Sequence, residues 1–361
     1  YDGAADTLNA GKTAVIDVTK LTGKSSGNSF NIRIAMKGCA PVTLHIMKSQ
    51  SIPSIHLTSD NAADAGREYV DAVKGNAATG TMAMTGADGR SIYNGNLKQI
   101  KARGNSTFKY YNKKSYQIKL ETGTDLLGKG ENVKTWVLLA GYGDATQMHD
   151  KLIKDLAAAL GMDYVANCSW VDLYYDGEYR GLYLLSEKNS VGDTGINVTD
   201  MESAYAEKNE NYGSDMIAEK AMNAYGQEYQ YIADLTEPDN ITGGYLIERN
   251  LDTIDEICGF YTKQGSGFNV KSPEFAGKEA MKYISEYYQE FEDAVYSDNG
   301  YNAETGKFYY DYCDADSLVK VYLLQKLGYN VDGFKSSFYF YKDKDDKMYA
   351  GPVWDQEMAF G

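Results

Sequence analysis

Three carboxylates near the end of the sequence, Asp332, Asp355 and Glu357, have the residue type that binds hard metal ions. Two strand-like segments within residues 336–354 separate the first carboxylate from the other two. A hairpin of this kind returns the chain to its starting point, so we expect Asp332 and Asp355 to lie close together. Such a cluster must hold a cation, share a proton or remain in water.

Both aspartates also have an ordinary structural interpretation. Asp332 precedes a glycine, which is a common turn pair, and an aspartate that follows a strand, as Asp355 does, often caps a helix. Apolar neighbours such as Trp354 favour a functional role for Asp355, because a carboxylate held against apolar walls needs a partner. The acidic turn at 343–346 is interpreted as a solvated hairpin turn, since it lacks the glycine and the glutamate of a calcium loop.

A second stretch, which opens with Arg103, has the features of an anion site. Arg103 leads into a turn of Gly, Asn, Ser106 and Thr, whose backbone N–H groups could hold an anion. In the strand that follows, alternation places Lys119 on the face opposite to Tyr116 and Ile118, from which a lysine could reach a phosphate. The alternative is an ordinary hairpin with a solvated lysine.

The composition argues against several classes of protein. The 361 residues suffice for two or three domains, and the formal charge of −15 disfavours nucleic acid and anionic membranes while favouring cations or basic protein segments. Four cysteines without a CxxC pair indicate mostly buried free thiols rather than a zinc site. Three histidines and no GxSxG motif argue against a Ser-His-Asp hydrolase. No apolar run is long enough for a membrane span and no signal peptide is present, so we expect a soluble or already processed chain.

The order of the predicted elements indicates an α+β fold. Residues 1–48 form a β-rich N-terminal region with strands at 13–18, 30–36 and 42–47. Further strands follow, and Asp144 opens a helix whose apolar face is predicted to carry Met148, Leu152, Leu156 and Leu160. Two strands joined by the Asp176-Gly177 turn complete the first half of the chain.

The second half begins with a polar, acidic stretch at 189–240, which we predict to be an insertion with helical segments within 201–235. Strands are predicted at 243–248 and 268–271. A helix with an apolar stripe from Met281 to Val295 and a last helix that ends at Gly328 then lead to the acidic stretch.

Six short motifs, taken in order, resemble those of the CotH kinase family, the spore-coat-protein-H-like atypical protein kinases. Each motif alone is weak, whereas six in order, from about residue 55 to residue 361, are specific. The motifs are Arg103-Gly104-Asn105-Ser106-Thr107, Lys114-Ser115-Tyr116-Gln117-Ile118-Lys119-Leu120, Trp136-Val137-Leu138-Leu139-Ala140, Leu182-Tyr183-Leu184-Leu185-Ser186-Glu187, Gly243-Gly244-Tyr245-Leu246 and Gly351-Pro352-Val353-Trp354-Asp355.

The resemblance implies a divergent, two-lobed protein-kinase-like fold with a small lobe at 49–188 and a large lobe at 189–361, shorter at its end than in relatives. It implies ATP and Mg²⁺ (or Mn²⁺) as cofactors and the transfer of phosphate to Ser or Thr of secreted or surface proteins. It also implies a bacterial, extracellular or cell-surface location, with an extracellular multiprotein assembly as a partner.

Residue by residue, the resemblance implies that Lys119 contacts the nucleotide phosphates and that Asp332 orients the substrate hydroxyl. Asp355 is similar to the aspartate that holds magnesium, with Glu357 beside it. Glu187 falls on the connection between the lobes, close to the adenine.

Two departures from the family pattern concern the site. Ser337 stands where the family can have an asparagine that binds a second metal ion, and His149-Asp150 stands where the family often has Arg-Asn. Asp150 and Asp155 are candidates for the acidic partner of Lys119.

Two other functions fit the same residues. A catalytically silent binding or scaffold module of an extracellular assembly would keep the fold without needing a nucleotide. A carbohydrate-active enzyme would use the paired carboxylates and the many aromatic residues.

Overall fold

The computed structural model describes residues 29–47, 52–213 and 215–361, which form eighteen strands and eight helices. The predicted α+β class is confirmed at this coarse level. The predicted strand at 13–18 lies outside the described residues.

The first half of the chain is mainly β-structure. Its strands are β1 (Ser29–Ile34), β2 (Val42–Met47), β3 (Ser54–Ser59), β4 (Ala77–Thr85), β5 (Ser91–Arg103), β6 (Ser115–Thr124), β7 (Val133–Leu139), β8 (Cys168–Tyr175) and β9 (Glu178–Glu187). Its helices are α1 (Ala62–Ala65), α2 (Arg67–Ala72), α3 (Ser106–Tyr110) and α4 (His149–Ala159).

The second half alternates short strands with longer helices. Its helices are α5 (Met201–Lys208), α6 (Lys278–Tyr296), α7 (Tyr309–Tyr312) and α8 (Ala315–Gly328). Its strands are β10 (Ala218–Met222), β11 (Glu228–Ile232), β12 (Tyr245–Asn250), β13 (Gly259–Tyr261), β14 (Gly267–Ser272), β15 (Tyr301–Asn302), β16 (Lys307–Phe308), β17 (Ser336–Lys342) and β18 (Met348–Ala350).

Seven strands of the first half close into a barrel in the order β3-β4-β5-β6-β7-β9-β8. Its interior is filled by one face of each strand, and in β6 this face carries Tyr116, Ile118 and Leu120, all fully buried. Lys119 lies on the exposed outer face. The alternation predicted for this strand is therefore confirmed.

The barrel closes where β3 pairs in parallel with β8. Asp176 stabilises this closure from the β8–β9 turn, where its left-handed backbone (φ 49°) matches the predicted Asp-Gly turn. Its carboxylate accepts hydrogen bonds from the backbone N–H groups of Ser59 (2.7 Å) and Arg67 (2.9 Å). One side chain thus connects the end of β3, the start of α2 and the β8–β9 hairpin.

The second sheet has seven strands in the order β10-β11-β13-β14-β12-β17-β18. Helix α6 covers one face through a core that includes Met281, Ile284 and Phe340. The other face packs on the outside of the barrel, where Leu246, Tyr339 and Tyr341 join Val137 and Trp354 in a shared apolar cluster. This cluster fixes the barrel against the second sheet.

Part of the stretch at 189–240, which was predicted to be an insertion, is integrated into the second sheet. After helix α5 the chain forms β10 and β11, which belong to the second sheet. Tyr229, Tyr231 and Ile232 are buried in the same core as α6. The helical interpretation of 201–235 failed beyond α5 because burial of these tyrosines outweighs the polar composition around them.

The apolar face predicted for α4 is wrong at three of its four residues, and only Leu156 packs, partly buried, against the core. Met148, Leu152 and Leu160 are 50%, 40% and 42% exposed, whereas Ile153 and Lys154 are buried. The helix turns this face inward because Ile153 packs with residues of α8 and of the segment after β18. Lys154 is thereby buried, and Asp150, one turn earlier, becomes partly buried.

All four cysteines are free. Cys258 and Cys313 are buried, but Cys39 is exposed and Cys168 is partly exposed, so the prediction of buried thiols holds for two of the four. Among the described residues, none of the helices has the length and apolar character needed to cross a membrane.

Candidate functional site

The β17–β18 hairpin carries an acidic loop at each end. Asp332 lies in the turn between α8 and β17, and Asp355 follows β18. The two carboxylates are close enough for the charge of Asp332 to raise the pKa of Asp355. The hairpin brings the two loops together, as the sequence predicted.

A buried pair of amide side chains joins the loops. The Asn330 Nδ2 group donates to the Asp355 carbonyl (3.3 Å) and to Gln356 Oε1 (3.2 Å), while Asn330 Oδ1 accepts from the Asp332 N–H (3.2 Å). Asn330 and Gln356 are 7% and 1% exposed, so little water competes for these bonds. The amide pair therefore sets the separation of Asp332 and Asp355.

Asp355 itself has a left-handed backbone (φ 56°), as does Ser337 (φ 53°) on the adjacent strand. The Ser337 hydroxyl donates to Asp355 Oδ2 at 3.2 Å. Although the Asp355 carboxylate still contacts solvent, the surrounding protein raises its pKa, and Arg103 and the Ser337 bond only partly oppose that shift. A carboxylate with this surplus of negative charge favours a cation nearby.

Two further carboxylates border Asp355. Glu357 accepts a hydrogen bond from the Gly143 N–H, and Asp150 on α4 accepts one from the Gln356 N–H (2.9 Å). Burial raises the pKa of both carboxyls, and the charge of Asp355 adds to the effect in each case. Asp150 therefore belongs to the acidic side of the site rather than to Lys119.

Lys154 supplies the buried positive charge of this region. Its ammonium donates to Ser186 Oγ (2.6 Å) and lies 4.8 Å from the centre of the Trp354 ring. Burial lowers its pKa, which the charges of Asp150 and Glu187 partly restore. Lys154 is 2% exposed, so it acts on the carboxylates through the protein interior rather than through solvent.

Arg103 comes from the barrel side. Its guanidinium lies 5.3 Å from the centre of the Trp354 ring, which Lys154 also contacts. The positive charge of Arg103 lowers the pKa of Asp355. Ser106, which begins the short helix α3, is exposed. The structure thus brings Arg103 to the acidic loops, and it gives Ser106 no contact with them.

The remaining predicted residues are further from the acidic loops. Lys119 is exposed on β6, and its side chain makes no hydrogen bond or ion pair within the described part of the chain. Asp155 pairs instead with Lys151 (2.5 Å). Glu187 is 1% exposed, and its carboxylate accepts from the backbone (2.9 Å) and side chain (3.0 Å) of Asn167. Its proximity to adenine stays a prediction.

Sequence reasoning missed Lys154, Ser186 and the full role of Asp150. A lysine within an amphipathic helix is normally solvated. The only sequence signal was that Lys154 follows Asp150 by one helical turn, which places both side chains on the same face of the helix. The role of Asn330 was also missed, although an asparagine two residues before a turn aspartate is a known backbone-bonding position.

Within the described residues, no group of three or more His, Cys, Asp or Glu side chains is arranged to hold a metal ion. One or two carboxylates are nevertheless the usual protein contribution to a Mg²⁺ ion that is also bound by phosphate oxygens. Asp355 and Glu357, with raised pKa values and no cation in ion-pair contact, fit that donor set.

Residues 100–361 match the family model described as CotH kinase protein. The match covers more than half of the chain and includes the acidic loops, α4 and β5 to β9. The chain therefore belongs to the CotH kinase family. A comparison with curated proteins gave no significant match.

Asn330→Ala is expected to loosen both acidic loops together, because one side chain supplies hydrogen bonds to each. Hydrogen exchange should become faster at the Asp332 amide and in residues 354–357, while β17 remains protected. Asn240→Ala is the matched control, since Asn240 bonds the backbone of Thr242 in a loop elsewhere. Unchanged exchange at 354–357 would mean that the loops are held independently of Asn330.

Proposed function

We propose that this member of the CotH kinase family is a metal-dependent protein kinase that transfers the γ-phosphate of ATP to Ser or Thr residues. The observation that carries the proposal is the meeting of Asp332, Asp355 and Ser337 with Arg103 between the barrel and the second sheet. Phosphoryl transfer requires a hard cation on oxygen ligands, a positive charge near the phosphates and a positioned hydroxyl. The family supplies kinase chemistry in general terms.

In this proposal the barrel is the small lobe and the second sheet with its helices is the large lobe of a kinase-like fold. The chain passes from one to the other after Glu187, the last residue of β9. The shared cluster around Val137 and Trp354 supports a fixed relation of the two parts. Such a fold places a nucleotide between the lobes, where Arg103 and the acidic loops lie.

Asp355, with Glu357, would hold Mg²⁺ or Mn²⁺, and the bound ion would neutralise charge on the phosphates. Arg103 and Lys119 would contact phosphate oxygens from the barrel side. Asp332, which is exposed and bonded at its N–H by Asn330, would accept a hydrogen bond from the substrate hydroxyl. Lys154 would limit the repulsion between Asp150 and Asp355.

We further propose that the substrates are secreted or surface proteins, in keeping with the resemblance, and that bacterial extracellular assemblies contain them. The strongly negative charge of the chain favours basic segments around the Ser or Thr, because it raises the local concentration of cationic peptides.

Asp355→Asn should abolish Mg²⁺-dependent ATP binding and reduce phosphoryl transfer on the order of 100-fold. It should also raise the melting temperature without ligand. The folded protein holds the pKa of Asp355 above its unfolded value, so the ionised carboxylate costs stability above that pKa, and the neutral amide removes this cost. Asparagine tolerates the left-handed backbone at this position.

Thermal-shift titration with and without Mg²⁺ and ATP measures both effects. The matched control is Asp298→Asn, an exposed aspartate just after α6, which should change neither. An Asp355→Asn variant that retains the Mg²⁺- and ATP-induced shift would show that Asp355 is not the metal ligand.

Ser337→Asn should lower the Mg²⁺ concentration needed for half-maximal nucleotide binding. The Ser337 hydroxyl already reaches Asp355, and the longer amide oxygen is a better neutral ligand for a hard cation. The left-handed backbone at Ser337 accommodates asparagine, so the melting temperature without ligand should change little. A Mg²⁺ titration that superimposes on that of the wild type would indicate a single-metal site.

The proposed charge preference is tested by an array of Ser- and Thr-containing peptides with basic, neutral or acidic flanks. Phosphorylation should favour basic flanks, and the advantage should shrink as salt screens the attraction. A preference for peptides with acidic flanks would refute the proposed preference for basic substrates.

A further inference from the structure

The outer face of the barrel carries four cations where it faces the second sheet. Lys101 and Arg103 lie on β5, opposite Gln117 and Ser115 of β6. Residues that are directly opposite in a sheet project to the same side, and Ile100 and Ala102, which alternate with Lys101 and Arg103 along β5, are buried inside the barrel. Lys101 and Arg103 therefore project outward.

Lys119 and Lys188 lie on the same outer face, in an adjacent row of residues that are opposite one another across the strands. Lys119 is opposite Gln99 on β5 and Thr135 on β7. The backbone N–H of Lys188 donates to the Thr135 carbonyl (3.3 Å), which continues the β7–β9 pairing by one residue beyond Glu187. Neighbouring strands are about 4.8 Å apart, so these long side chains reach a common area.

None of these four cations has an ion-pair or side-chain hydrogen-bond partner among the residues that the structure describes. The Arg103 guanidinium lies over the Trp354 ring, and the charges of Glu274 and Glu202 act on Lys188 without an ion pair to either. Some lysines elsewhere form ion pairs, as Lys271 does with Glu248 (3.5 Å), whereas others, such as Lys134, have none among the described residues.

These four cations lie together in a chain that has more acidic than basic residues, 51 against 36. Lys188 contacts solvent, yet protein surrounds it, and burial together with Lys271, Lys101 and Arg103 lowers its pKa. Cations that converge without forming ion pairs can bind a multivalent anion.

We propose that Lys101 and Lys188, together with Arg103, bind the polyphosphate chain of the nucleotide, and that Lys119 lies at the edge of this site. The inference rests on the proposed kinase function and names the phosphate-binding residues of the same site. Lys188 occupies the connection that follows the barrel, so a bound polyphosphate bridges that connection and strand β5.

The test measures binding of Mg²⁺-ATP, Mg²⁺-AMP and inorganic tripolyphosphate by calorimetry at several salt concentrations. Lys101→Met and Lys188→Met should each lower the affinity for ATP and for tripolyphosphate about 10-fold. The affinity for AMP should fall much less, because AMP has a single phosphate for the lysine to contact. The salt dependence of ATP binding should also become less steep. Lys188→Arg should restore most of the affinity, since it keeps the charge.

Lys134→Met is the matched control. Lys134 is an exposed lysine on β7, directly before Thr135. Because side chains alternate along a strand, Lys134 projects to the side opposite to Thr135 and therefore away from Lys188. Its removal should leave all three affinities unchanged. Folding of each variant is checked by its melting temperature in the absence of ligand.

Unchanged tripolyphosphate affinity in folded Lys101→Met and Lys188→Met would overturn the inference, as would an equal loss in Lys134→Met. A wild-type protein that binds neither ATP nor tripolyphosphate would overturn it too. A wild-type protein that binds both in the predicted manner but phosphorylates no Ser or Thr would support the polyphosphate site and refute the kinase function. The two failures are therefore distinguishable.

Discussion

The candidate site depends on one buried interaction, the pair of amides formed by Asn330 and Gln356. Carboxylates at the two ends of a hairpin repel each other, and flexible loops would separate them. Asn330 prevents this by bonding the backbone at both Asp332 and Asp355, and Gln356 extends the connection to Asp150 on α4. The acidic loops, the hairpin and the helix are thereby held as one unit before any cation is present.

That arrangement has an energetic cost, which the rest of the site offsets in part. Asp150, Asp355 and Glu357 all have raised pKa values, because burial and mutual repulsion disfavour their ionised forms. Lys154 and Arg103 approach from α4 and from the barrel, and both contact the Trp354 ring. The indole therefore keeps two cations close to the carboxylates without allowing either to form a direct ion pair with Asp355.

The sequence allowed prediction of features that depend on local pattern. Alternation in β6, the Asp176-Gly177 turn, the return of the hairpin and the last helix up to Gly328 all follow from short-range rules, and the structure contains them. The buried face of α4 did not follow, because Met148 and Leu152 suggested the opposite face and only contact with α8 decides the outcome. The partner of Asp150 and the position of β11 in the second sheet likewise depend on tertiary contacts, which local sequence patterns do not predict. Polar residues that are buried for a site break the hydrophobic pattern from which sequence prediction works.

Closure of the barrel also bears on where the folding unit begins. The family match starts at residue 100, inside β5, yet the barrel needs β3 and β4, which precede it, and the Asp176 contacts with Ser59 and Arg67. A fragment cut at the family boundary would lack β3, β4 and most of β5, and would leave β8 and part of β6 without a pairing strand on one edge. Open edges of this kind pair with other chains, so such a fragment would be recovered as aggregate rather than as an isolated domain.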